Sequence, residues 1–228
     1  MNYFVFGDSH CNCFSRTFPN KVYVYPASSA KGLSNPMSKT AVNKRMTDII
    51  SLLPENSNII LFFWKVDLDF IINYKYNTTQ NINLNEYVLA IANSYIEFVK
   101  LNITNHKVFI CEIPITHIDD ISMLSIINIQ EHMHNINSHL LEKYSSVYNN
   151  FSKIIPYNER VSLYELFNNE LKNKCKTNNF TFLEINKYFR KTDGKFEIPI
   201  KYINKLNKLD HHLSNDIVEL YLKSLKNN

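Results

Sequence analysis

Short runs of β-branched and aromatic residues alternate along the chain with longer stretches of helical period, the pattern of strands joined by crossover helices in a largely parallel sheet. Five runs read as strands: residues 3–6, 21–25, 58–63, 107–113 and 180–184, each near the usual strand length. Between them, residues 40–53 place Met46, Ile49, Ile50 and Leu53 on one face and Lys44, Arg45 and Asp48 on another, as an amphipathic helix requires. Residues 85–101 read likewise, and 122–150 and 158–174 read as helices covering the sheet or its mouth. The last helix is expected over 215–226, with Ile217, Leu220, Tyr221 and Leu225 as its inward stripe and the Ser214 hydroxyl as its cap. The class is α/β, in a single domain over 1–228.

Composition narrows the partners. Among 228 residues, 45% are hydrophobic, enough for a sizeable core in one domain of this length. The 25 basic and 21 acidic side chains leave a net charge of +4, but they are scattered. There is no Lys/Arg stripe to track a phosphate backbone, so nucleic acid is not an expected partner. The 14 Tyr and 15 Phe fall inside apolar runs and read mainly as core. The opening residues lack a basic region followed by a long apolar one, and the run 59–64 is too short to span a bilayer. The expectation is a cytoplasmic protein with no membrane partner. Cys11, Cys13, Cys111 and Cys175 have no CxxC spacing, so they read as buried free thiols.

In an open α/β sheet, ligands bind beyond the carboxyl ends of the strands. The segments that follow the expected strands are Gly7-Asp8-Ser9-His10, Ser28-Ser29-Ala30-Lys31-Gly32 and Lys65-Val66-Asp67, and near the C-terminus comes Asp210-His211-His212-Leu213-Ser214. Two of the three glycines, Gly7 and Gly32, fall at these strand ends, where a backbone must turn sharply or approach a neighbour closely. His132, His134 and His139 do not share one helix face, since only the first and last are two turns apart. No metal site is expected.

Phe6-Gly7-Asp8-Ser9-His10 resembles the first block of the SGNH (GDSL-like) hydrolases, and Gly32 and the Asp210/His212 stretch resemble their second and last blocks. The resemblance implies a flavodoxin-like three-layer sandwich with a mostly parallel sheet of about five strands. It implies Ser9 as nucleophile, His212 as general base, Asp210 as the orienter of His212, and the Ser9 and Gly32 amides as oxyanion donors. The chemistry is coherent: a serine hydroxyl becomes nucleophilic when an imidazole accepts its proton, and a carboxylate behind the imidazole fixes its tautomer. Asp8, Lys65 and Asp67 join the candidates as substrate-binding or oxyanion residues.

Two departures stand out. The family's third block, Gly-x-Asn-Asp, appears as Trp64-Lys65-Val66-Asp67, without the side-chain oxyanion donor; Lys65 is the candidate substitute. The last block reads Asp-x-His rather than Asp-x-x-His, with Leu209 at the usual aspartate position. The third block is similar to that of a branch associated with polysaccharide and glycan assembly, which implies a carbohydrate substrate. The expected activity is that of an O-acyl esterase or O-acetyltransferase acting on a sugar hydroxyl. No cofactor is expected for hydrolysis; acetyl-CoA would be the donor for acetyl transfer. One alternative is a sugar O-methyltransferase using S-adenosylmethionine, because in-line methyl transfer builds no oxyanion. Another is a non-catalytic glycan-binding module.

Overall fold

The computed structural model describes residues 2–38, 40–128, 151, 153–204 and 212–227. Five strands form one all-parallel sheet: β1 (Tyr3–Gly7), β2 (Val22–Val24), β3 (Asn58–Phe62), β4 (Lys107–Cys111) and β5 (Thr181–Leu183), in the order β2-β1-β3-β4-β5. Every residue of β3 is buried, which explains why, after Asn58, this strand is an unbroken apolar run rather than an alternating one. All five expected strands are present; β1 runs one residue further, to Gly7, and the other four are trimmed by a residue or two.

Because connections between parallel strands are right-handed, the single step from β1 back to β2 and the later steps across to β5 place their crossovers on opposite faces. On one face lie α1 (Ala30–Leu33), α2 (Val42–Ile50), α3 (Ile72–Thr78), α4 (Leu84–Asn102), α5 (Asp120–Asn128) and α6 (Tyr157–Thr177); α4 is packed against both α1 and α6. The other face carries a 3₁₀ helix, Ser9–Phe14, and the C-terminal α7 (Val218–Lys226), which is preceded by a 3₁₀ turn, Asn215–Ile217. There Phe14 and Tyr221 both meet the Phe62 ring edge-on, at 5.6 and 5.7 Å. The result is a three-layer α/β sandwich.

Gly7 ends β1, and its glycine is required by proximity. A Cβ there would lie 2.5 Å from the Phe62 carbonyl oxygen and 2.6 Å from Cys11 Cβ, closer than packed atoms tolerate. The absence of a side chain lets β1, β3 and the 3₁₀ helix converge where the chain turns towards Ser9. All four cysteines are free and buried. No helix among the described residues is long and apolar enough to cross a membrane.

Two expectations need correction. The Ser214 hydroxyl does not cap the last helix; it donates to the Lys201 carbonyl at 2.5 Å, because an antiparallel bridge between Ile203 and Leu213 brings that carbonyl alongside. The long helix expected over 122–150 is described only as α5; His132, His134 and His139 lie outside the described residues.

Candidate functional site

The order of strands reverses between β1 and β3, and the chain leaving β1 enters the crevice created there. Asp8 is held at this point by its own backbone, whose N–H donates to the Phe62 carbonyl at 3.2 Å. Its side chain caps the 3₁₀ helix by accepting from the His10 amide at 2.9 Å. Ser9 thus begins that helix with its side chain partly exposed.

His212 approaches from the far end of the sequence. The Ile203–Leu213 bridge, together with hydrogen bonds from Asn204 N to His212 O (3.0 Å) and Ser214 N to Tyr202 O (2.9 Å), fixes its backbone. The ring is partly exposed, and its Nε2 stands 3.2 Å from Ser9 Oγ, within reach for proton transfer. Residues 203 positions apart have become neighbours. Asp210, the expected orienter, lies outside the described residues.

Beneath this pair is a buried polar floor. Asp8 is wholly buried and its Oδ1 is 2.8 Å from His10 Nδ1, while the Trp64 amide donates to its Oδ2 at 3.4 Å. The His10 ring stacks on His212, with centroids 4.5 Å apart and planes 20° from parallel, and also lies near-parallel to Trp64 at 6.3 Å. Burial pushes the Asp8 carboxyl up to about 6, against the lowering effect of the His10, Trp64 and Lys65 amides and the charge of His212. Asp8 is therefore buried and faces inward, towards two histidines. His10 had no assigned role in the sequence; the Asp-x-His spacing across Ser9, which lets a capping carboxylate reach both the amide and the ring two residues on, is the signal that marks it.

The expected oxyanion and substrate residues are placed as follows. The Gly32 amide donates to Ser29 Oγ at 2.9 Å, the side-chain cap of α1. Lys65 is 1% exposed, and its ammonium pairs with Asp69 Oδ2 at 3.1 Å. Asp69 also accepts the Tyr164 hydroxyl, so Lys65 belongs to a buried network joining the segment after β3 to α6. Asp67 is wholly buried and accepts from the Ala30 and Lys31 amides at 2.6 and 3.3 Å. Burial pushes Asp67 up to about 7, opposed by those amides and the Ser29 hydroxyl and reinforced by the Asp8 charge. It ties the start of α1 to the segment after β3. Val66, at the position of the family's asparagine, is partly exposed.

Solved structures with the same arrangement include a GDSL-like lipase from Bacteroides thetaiotaomicron, with 11% identity and a TM-score of 0.51 over 99% of this chain and 86% of that one. A protein assigned as an SGNH hydrolase from Slackia heliotrinireducens matches with 9% identity and a TM-score of 0.50, over 100% of this chain and 97% of that one. The fold is that of the SGNH hydrolases. No family model and no curated protein sequence matches the chain. On this SGNH-type scaffold the carboxyl ends of β1 and β3 carry Ser9 and the Trp64–Asp67 segment, whereas a surface cleft lined by His106, Lys107, Phe180 and Thr181 lies at the opposite ends of β4 and β5. Among the described residues no cluster of three or more His, Cys, Asp or Glu is arranged to hold a metal ion.

Proposed function

We propose that this chain is an O-acyl esterase or O-acyltransferase acting at a carbohydrate hydroxyl, with Ser9 as nucleophile and His212 as general base. The observation that carries the reading is the 3.2 Å contact between Ser9 Oγ and His212 Nε2, both partly exposed at the switch point of the sheet. His212 Nε2 takes the Ser9 proton as Oγ bonds to the acyl carbon; the imidazolium then returns that proton to the departing alkoxide, releasing the sugar alcohol and leaving an acyl-serine. Water, or a second sugar hydroxyl, attacks the acyl carbon after giving its proton to His212, and Ser9 recovers the proton as the acyl group departs. The sugar assignment rests on the resemblance of the Trp64–Asp67 block to the glycan-assembly branch.

A second reading, transfer of a methyl or similar group from S-adenosylmethionine to a sugar hydroxyl deprotonated by His212, is favoured by one observation. The Gly32 amide is occupied by Ser29, and Val66 stands where an oxyanion amide is expected; loss of one such donor costs acyl-transfer enzymes about 100-fold to 1000-fold in turnover, whereas in-line methyl transfer needs none.

Intact-mass analysis after incubation with a fluorophosphonate separates the two. The expected result is a single adduct on the native protein that is absent from Ser9→Ala and strongly slowed in His212→Ala. A native protein that takes up no adduct, and whose melting temperature rises with millimolar S-adenosylmethionine, overturns the acyl reading in favour of the second.

A further inference from the structure

We propose that the Asp8–His10 pair is a positioning device for His212, the stacked His10 ring setting the plane in which the His212 imidazole presents Nε2 to Ser9 and Asp8 supplying negative charge beneath it. The inference rests on the reading of His212 as the general base, but not on the identity of the group transferred.

The geometry is specific. A ring 2% exposed, clamped to a wholly buried carboxylate at 2.8 Å, has almost no freedom to rotate. It lies under His212 with centroids 4.5 Å apart and a 20° tilt, and offset stacking in this range favours a fixed mutual orientation. His10 is anchored twice to the same carboxylate, through its backbone amide at 2.9 Å and its Nδ1. The ring therefore inherits its orientation from the turn that also positions Ser9, so nucleophile and base share one mechanical reference. The Asp8 carboxylate and a protonated His212 ring attract, so ionised Asp8 stabilises the imidazolium that forms when Ser9 loses its proton, as the carboxylate of a catalytic triad does.

The described titratable groups around the pair include Cys11, Cys13, Asp67 and Lys65. Cys11 and Cys13, on the same 3₁₀ helix, are pushed up by burial and by the Asp8 charge and stay neutral. Asp67, on the segment after β3, feels Asp8 as a like charge. The Lys65 ammonium on that segment is engaged by Asp69. Of the described groups, Asp8 is the carboxylate that contacts His10.

The test uses His10→Ala, His10→Phe and His10→Asn in the full chain. Phe restores a flat ring without a donor, and Asn restores a donor to Asp8 without a ring. Two quantities are read: the rate of Ser9 modification by a fluorophosphonate, and the chemical shifts of the His212 ring protons followed by NMR with labelled histidine. The expected result for His10→Ala is a rate lowered by about tenfold to a hundredfold, the range that a small misplacement of a catalytic group costs. Displaced His212 ring-proton shifts are expected with it, as the loss of a ring stacked on His212 requires. His10→Phe should recover most of the rate, and His10→Asn much less. Native rate and native ring-proton shifts in His10→Ala would overturn the proposal. So would a slowed variant with unmoved ring-proton shifts and no rescue by Phe, the signature of a merely structural role. If the native protein forms no adduct at all, the acyl reading fails separately, and the ring-proton shifts alone decide this inference.

Discussion

Asp67 provides a quantitative check on how the site is built. Its carboxyl is wholly buried and its folded-state value lies near about 7, against 3.8 for the free side chain. The folded state therefore holds the proton more tightly than the unfolded state, and between the two values stability is lost as pH rises. With a folded value of about 7, the penalty accumulated between about pH 5 and about pH 8 is about 2.5 kcal/mol, from about 1.4 kcal/mol per pH unit over nearly two effective units. Asp8, raised to about 6 by burial, adds a slope of the same sign, so the native curve alone does not isolate either carboxyl. Asp67→Asn does. Its amide resembles the protonated acid in shape and keeps one oxygen for the Ala30 amide, the shorter of the two contacts, giving up the longer one from Lys31. The expected outcome is a variant close to native stability near about pH 5 that gains on the native protein as pH rises, by about 2–3 kcal/mol near about pH 8. In a chain of this length that gain is a relative rise of about 4–12 °C in melting temperature. Urea unfolding of both proteins at four pH values measures it. Parallel stability–pH curves for the two would mean that Asp67 is already ionised when buried, and the reasoning from desolvation would be wrong.

Two further perturbations test the frame around Ser9. Gly7→Ala drives a Cβ to 2.5 Å from the Phe62 carbonyl and 2.6 Å from Cys11 Cβ, so urea unfolding should show a loss of about 1–3 kcal/mol, and fluorophosphonate labelling should slow as β1 is pushed from β3. Lys65→Met leaves Asp69 as a buried charge stripped of its ammonium partner and should cost about 3–5 kcal/mol, while Lys65→Met combined with Asp69→Leu should recover most of that loss; a double-mutant cycle with no coupling would show that the pair does not form.

Much of the fold is legible because strands and helices declare themselves locally. The apolar run of β3 and the amphipathic pattern of α2 follow from burial on two faces and on one, and both are read from consecutive residues. The tertiary partners are not. Ser214 carries every local mark of a helix cap, yet its hydroxyl goes to Lys201 because a bridge formed elsewhere places a better acceptor beside it. Lys65 and Asp69 show an i,i+4 spacing, but nothing in sequence tells that Tyr164, 95 positions on, completes the network and buries it. Ser9 and His212 were legible as a pair from family blocks; their contact is the product of the Ile203–Leu213 bridge. His10 escaped notice because its meaning lies in a ring stack with a residue 202 positions away.

The segment after β3 holds the most informative change. In an oxyanion-forming site its side chains would face the substrate, but here Lys65 turns inward to Asp69 and Asp67 turns inward to the amides of α1, while Val66 alone keeps partial exposure. This segment ties α1, α6 and the end of β3 together. Ser9 and His212 are arranged the opposite way: both are partly open above a floor in which Asp8 and His10 are locked together. Removing a proton from a hydroxyl calls for a well-placed base with a carboxylate beneath it, whereas stabilising a tetrahedral oxyanion calls for donors aimed at open space. On the function proposed for this chain, the first set of groups is in contact, whereas Lys65, Asp67 and the Gly32 amide are engaged within the protein. Substrates that demand little oxyanion stabilisation, such as activated acyl donors with good leaving groups, are accordingly the ones to which Ser9 should respond fastest.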